Sequence, residues 1–76
     1  MITIKEIKNN INYINECLRR NYVWCELSFS HNENWYRIYD YHKFDDGSID
    51  SHYMNFKTKK EVKTFLKWFY TLIKHI

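Results

Sequence analysis

The sequence predicts an α+β fold in the order helix, three-stranded antiparallel meander, helix (αβββα), with the helices packed on the sheet. Three observations predict it. Two Thr-x-x-Glu segments, Thr3–Glu6 and Thr58–Glu61, each open a stretch with helical apolar spacing. Between them lie three β-favouring stretches, the middle one being the aromatic-rich run Trp35 to Phe44. Asp46-Gly47 separates the second stretch from the third, and that pair is a strong short-range hairpin signal.

The first helix is expected from about Ile4 to Arg19. In a capping box, the Thr3 hydroxyl accepts from the Glu6 amide while the Glu6 carboxylate returns to Thr3; Ile2 and Ile7 occupy the staple positions. Ile4, Ile7, Ile11, Ile14 and Leu18 then recur at steps of three and four, which makes one buried stripe. Arg19 and Arg20 fall at the C-terminus, where cations complement the helix dipole.

Tyr22 to Ser30 alternates, with Val23, Cys25, Leu27 and Phe29 on one face and Trp24 among the residues on the other. The polar segment His31–Asn34 is the first turn. If Asp46-Gly47 is a two-residue turn, Phe44 faces Ile49, Tyr41 faces His52 and Tyr39 faces Met54 across the second hairpin. A four-residue first loop brings Leu27 opposite Ile38 and Phe29 opposite Tyr36. The expected core face is then Val23, Cys25, Leu27, Phe29, Tyr36, Ile38, Phe44 and Ile49. Asp40 points inward in this register beside Cys25, so it needs a partner or a bulge near Tyr39–Tyr41. The last helix, opened by Thr58, carries the stripe Val62, Phe65, Leu66, Phe69, Leu72, Ile73 and Ile76.

A chain of 76 residues is close to the size at which one core is only just sufficient, so the fact that 20% of its residues are aromatic is consequential. One Gly and no Pro exclude a linker-rich or disordered composition. The formal charge of +3 is unevenly placed: six Lys/Arg stand against eight Asp/Glu through Phe56, and six Lys against one Glu from Lys57 onward. A basic last helix beside an acidic body suits a polyanion or an acidic protein patch.

The N-terminus lacks a basic segment followed by an apolar run, and no stretch has the length of a membrane span. A cytoplasmic location, no membrane contact and reduced thiols at Cys17 and Cys25 are the expectation.

Function is less legible than fold. If both helices cover one face of the sheet, the other presents Trp24, Trp35, Arg37, Tyr39, Tyr41, Lys43, His52, Met54 and Phe56. Aromatic rings with Arg interspersed are what binding surfaces are made of. The leading expectation is a non-enzymatic protein whose partner-binding residues are Trp24, Trp35, Arg37, Tyr39, Tyr41 and Lys43, with another protein or a second copy of the chain as occupant. The Asn, Ile, Lys and Tyr bias and the linker-free length look like small proteins of phages or mobile elements in AT-rich genomes, many of which inhibit host proteins such as immunity nucleases.

Catalytic and metal signals are weak. Asp45, Asp46 and Asp50 belong to turn chemistry and lack calcium-loop spacing. His42 and His52 fall on opposite faces in the two-residue register. No cofactor and no metal ligand set is therefore expected.

The element order also resembles the double-stranded RNA-binding domain. In that family a Lys-Lys-x-x-Lys cluster opens the last helix and grips phosphates, as Lys59, Lys60 and Lys63 would here, and a loop His enters a minor groove, as His31 before Trp35 would. The family's first helix also contacts the groove, as Asn9, Asn12 or Glu16 would here. The chain departs from the family in lacking its Gly-Pro before the loop His, in carrying Asn55-Phe56-Lys57-Thr58 instead of a Gly-rich approach to the last helix, and in having Phe65, Trp68, Phe69 and Tyr70 in place of small residues. The resemblance implies an alternative nucleic-acid surface of His31, Lys57, Lys59, Lys60 and Lys63.

Overall fold

The computed structural model describes residues 1–21 and 24–74; the expectations for Tyr22, Val23, His75 and Ile76 fall outside the described residues. The architecture is the predicted one: α1 (Ile4–Arg20), β1 (Cys25–His31), β2 (Tyr36–Lys43), β3 (Ile49–Phe56) and α2 (Lys59–Ile73), with the strands in the order β1-β2-β3, antiparallel throughout.

Both helices start where their caps dictate. The Thr3 hydroxyl accepts from the Glu6 amide at 3.1 Å, and the Thr58 hydroxyl from the Glu61 amide at 3.1 Å. In the second, the Glu61 carboxylate accepts from the Thr58 hydroxyl at 3.2 Å in place of the Thr58 amide. In the first, the Glu6 carboxylate instead takes the Lys63 ammonium at 3.0 Å, tying α1 to α2. That contact and the Tyr13–Tyr70 ring pair at 5.6 Å run in the same direction along both helices, so α1 and α2 lie parallel.

Ile7, Ile11, Ile14 and Leu18 of α1 meet Val62, Leu66 and Ile73 of α2 over Leu27 and Ile38 of the sheet. The half-buried sheet residues joining this core are Cys25, Phe29, Tyr36 and Phe56, all on the side of Leu27 and Ile38. Both helices therefore cover one face of the sheet and leave the other open. Among the described residues one polar side chain is buried, Asn15 of α1: its amide donates to the Leu27 carbonyl at 2.9 Å and its oxygen accepts from the Leu27 amide at 2.8 Å. Asn15 thus pairs the N–H and C=O of one residue on the outer edge of β1 as a neighbouring strand would, which keeps that buried backbone satisfied.

The two hairpins depart from expectation in different ways. In the first, Phe29 pairs with Ile38 and Leu27 with Asp40, a shift of two residues that preserves both faces. Asn32 organises the loop, its side-chain oxygen accepting from the amides of Asn34 and Trp35. The second is not a two-residue turn. The Gly47 amide donates to the Phe44 carbonyl (3.0 Å), Gly47 takes φ of 87°, and the Phe44 amide then donates to the Ser48 carbonyl (2.9 Å). This is the three-residue loop with a left-handed glycine. It pairs Tyr39 with Tyr53 and Tyr41 with Ser51, one residue away from the expected register, and so exchanges the faces of β3.

His52, Met54 and Phe56 consequently lie on the helix side, while Ile49, Ser51, Tyr53 and Asn55 join the open face. Phe44 and Ile49, expected in the core, are exposed, and so is Leu72 of α2. The ladder runs unbroken from Tyr36 to His42 on both sides, without a bulge at Asp40.

Candidate functional site

The open face is built on β2. Trp35, Arg37, Tyr39, Tyr41 and Lys43 rise from it in alternation; Trp24, Glu26, Ser28 and Ser30 flank them on the β1 side and Ile49, Ser51, Tyr53 and Asn55 on β3. The structure therefore brings all six predicted partner-binding residues to one surface.

Arg37 is its centre. The guanidinium carbon sits 4.0 Å from the Trp35 ring centroid and 4.4 Å from that of Tyr53, with the Tyr39 ring at 5.8 Å. Its Nε donates to Asn55 Oδ1 at 2.6 Å, and one terminal nitrogen donates to the Tyr39 hydroxyl at 3.2 Å. A planar, weakly hydrated cation suits a slot between rings, whose faces are the negative ends of their quadrupoles. Tyr39 in turn lies nearly parallel to Tyr41 at 6.2 Å and tilts against Tyr53 at 6.0 Å. At the far end Lys43 Nζ approaches the Trp24 ring at 5.9 Å.

The consequence is a gradient of exposure. Trp35, Arg37 and Tyr39 are half-buried by one another, with no helix over them, whereas Trp24 is 68% exposed, Ile49 67% and Tyr53 58%. Two of the contributors, Tyr53 and Asn55, escaped the sequence reading. Their alternation along β3 was visible, but the face it belonged to depended on one residue of loop length.

The predicted nucleic-acid residues gather only in part. The loop after His31, the N-terminus of α2 and that of α1 share one end of the molecule, because Tyr36 pairs with Phe56 there and the helices are parallel. His31 stacks with Phe29 at 5.6 Å and Tyr36 at 6.2 Å. Lys57 and Lys60 are exposed, Lys59 is half-buried, and Lys63 is paired with Glu6.

At the other end of the sheet, on the helix side, a third grouping appears that the two-residue turn had ruled out. Asp40 faces inward from β2, as expected, and finds its partners in histidines: His42 Nε2 is 3.4 Å from one carboxylate oxygen and His52 Nδ1 3.7 Å from the other. The His52 backbone amide also donates to Asp40 Oδ1 at 3.1 Å. Cys25, half-buried opposite His42, has its thiol pushed up by burial and by the Asp40 charge; like Cys17 it is free. Among the described residues no helix is long and apolar enough to cross a membrane.

Compared with protein-family models, curated proteins and solved structures, the chain matches none. The likeness to the double-stranded RNA-binding domain thus rests on element order and the lysine cluster.

Proposed function

We propose that this chain is a non-enzymatic binding protein that acts by laying the open face of its sheet on a protein partner. The observation that carries this reading is the state of Arg37, held between Trp35 and Tyr53 and hydrogen-bonded to Asn55 and Tyr39 before any partner arrives. Trp, Tyr and Arg are the residue types that concentrate binding energy at interface centres, and side chains already fixed lose little entropy on association. One face each of Trp35 and Tyr53 is occupied by the guanidinium, which leaves less ring surface for stacking nucleobases and offers edges and hydroxyls that suit protein groups. With Arg37 and Lys43 against Glu26, the face favours a partner whose apolar patch has an acidic rim. Such a protein works by occlusion, as inhibitors do.

The test compares partner capture by the wild type, by Trp35→Ala/Tyr39→Ala and by Arg37→Ala. Both variants are expected to fold, by far-UV circular dichroism, and to lose the partner. Undiminished capture by folded variants would reject the proposal. Light scattering over a concentration series separates a second copy of the chain from a foreign partner.

The alternative reading, nucleic acid held by His31, Lys57, Lys59, Lys60 and Lys63, draws on the convergence of loop and helix starts at one end. It requires an affinity for double-stranded RNA that falls steeply with salt through counterion release, and that is weakened by Lys57→Ala/Lys60→Ala. Salt-insensitive or absent gel shifts remove it.

A further inference from the structure

The three-residue loop that takes His52 off the open face sets it beside Asp40 and His42, in a group that neither the core nor the binding face employs. Asp40 and His42 stand two apart on one side of β2, and His52 is the cross-strand neighbour of Asp40 on β3. One ligating atom from each of the three lies within 4.8 Å of the others. The side chains are 30%, 43% and 65% exposed for Asp40, His42 and His52, so the group opens to solvent where the helices end their cover.

We propose that Asp40, His42 and His52 form a binding site for a divalent transition-metal ion of the Zn²⁺ class. Two imidazole nitrogens and one carboxylate oxygen would hold the ion, with its remaining position left to solvent.

The donor set is the first argument. Two nitrogens and one oxygen select Zn²⁺ and its neighbours over Ca²⁺ or Mg²⁺, which require oxygen cages. Three protein ligands with an open position are a standard zinc arrangement.

The second is distance. Bonds of about 2.0–2.1 Å at tetrahedral angles place ligand atoms about 3.3 Å apart. His42 Nε2 stands 3.4 Å from Asp40 Oδ2 and His52 Nδ1 3.7 Å from Asp40 Oδ1, and a set with one ligating atom from each residue spans no more than 4.8 Å. Closing the widest gap needs only side-chain rotation of the exposed His52, because all three backbones lie in an unbroken ladder.

The third is what stands behind the ring. With Nδ1 of His52 turned to Asp40, its Nε2 lies 3.6 Å from Asp50 Oδ2. A carboxylate at the far nitrogen is the usual support of a metal-bound histidine, fixing tautomer and orientation. A half-buried carboxylate seeking a counter-charge needs one histidine, and here two converge on it while a second carboxylate backs one of them.

The experiment titrates the tag-free chain, first stripped with a chelator, with Zn²⁺ by calorimetry near neutral pH, alongside imidazole NMR. One ion per chain is expected, with the ring resonances of His42 and His52 displaced and that of His31 unmoved. His42→Ala and His52→Ala should each abolish binding, and Asp50→Asn should weaken it about 10-fold. His42→Gln, which keeps the side-chain bulk, and circular dichroism of every variant establish that loss is not unfolding. Cys25→Ser should bind as the wild type does. No binding at millimolar Zn²⁺, undiminished binding by folded His52→Ala, or displacement of the His31 ring alone would overturn the site.

Discussion

The two faces of this sheet are made from alternate residues of the same three strands, yet they are held by different forces. The covered face places Leu27 and Ile38 against helix aliphatics and gains stability by removing apolar area from water. The open face has more ring surface but keeps it outside, packed ring on cation and ring on ring. The difference lies in what each side chain must satisfy. Tyr hydroxyls, a Trp N–H and a guanidinium need hydrogen-bond partners or water, which a core of isoleucines cannot supply. A chain with two helices can roof one face, and they roof the aliphatic stretch around Leu27 and Ile38, leaving Asp40, His42 and His52 of the same side partly exposed.

The sharpest way to test that contrast is to truncate neighbours that point in opposite directions. Ile38→Ala should cost about 2–5 kcal/mol, since Ile38 is 1% exposed between sheet and helices and its removal leaves a cavity. Arg37→Ala, one residue earlier, should cost under about 1 kcal/mol, the scale of a partly exposed cation–π contact. Urea denaturation of both variants checks this. Equal losses would mean that the open face is part of the folding core rather than a surface prepared for a partner.

The next effect concerns what assigns residues to each face. Gly47 has φ of 87°, and a methyl group there would meet nothing within 4 Å, so Gly47→Ala carries conformational strain without a clash. The expected loss is about 1–2 kcal/mol. Nuclear Overhauser contacts between residues 39 and 53 should persist; their replacement by contacts between 39 and 54 would show that this glycine alone sets the register.

That glycine also marks where the sequence stopped being legible. The caps, both helices, the three strands and their order could be read because each signal is local: Thr3 and Glu6, or Thr58 and Glu61, are three residues apart. The six residues predicted for the open face share it for the same reason, since Trp35 to Lys43 alternates along β2 and Trp24 immediately precedes β1. The β3 residues were not, because Asp46-Gly47 suits a two-residue turn and equally the three-residue loop observed; both put positive φ on the glycine. They differ by one residue of register, which exchanged Tyr53 and Asn55 for Met54 and Phe56 and moved His52 into reach of Asp40. Ser48 tips the balance, its amide and hydroxyl both donating to Asp46 Oδ1, at 2.8 and 2.6 Å.

The smallest expected effect separates the two faces by pH. Glu6 is held below its ordinary carboxylate range by the hydrogen bond from Lys63 and then by that ammonium's charge, and it straps the two helices over the covered face. Asp46 is lowered by the Ser48 hydroxyl and amide, and it braces the hairpin that sets the open face. Both folded-state values are depressed. The stabilisation is therefore present above the unfolded carboxylate range near pH 4 and is lost as pH falls through the lowered folded values. Glu6 is half-exposed and Asp46 exposed, so the loss is slight, but its salt dependence differs between them. The Glu6 contribution is partly Coulombic and should shrink in high salt, whereas that of Asp46 rests on short hydrogen bonds and should not. Thermal melts of Glu6→Gln and Asp46→Asn between pH 7 and pH 3, at low and high salt, read this directly. The acid sensitivity removed by Glu6→Gln should itself shrink in high salt, while that removed by Asp46→Asn is unchanged; identical salt responses would mean that charge, rather than hydrogen bonding, fixes the hairpin and with it the membership of the open face.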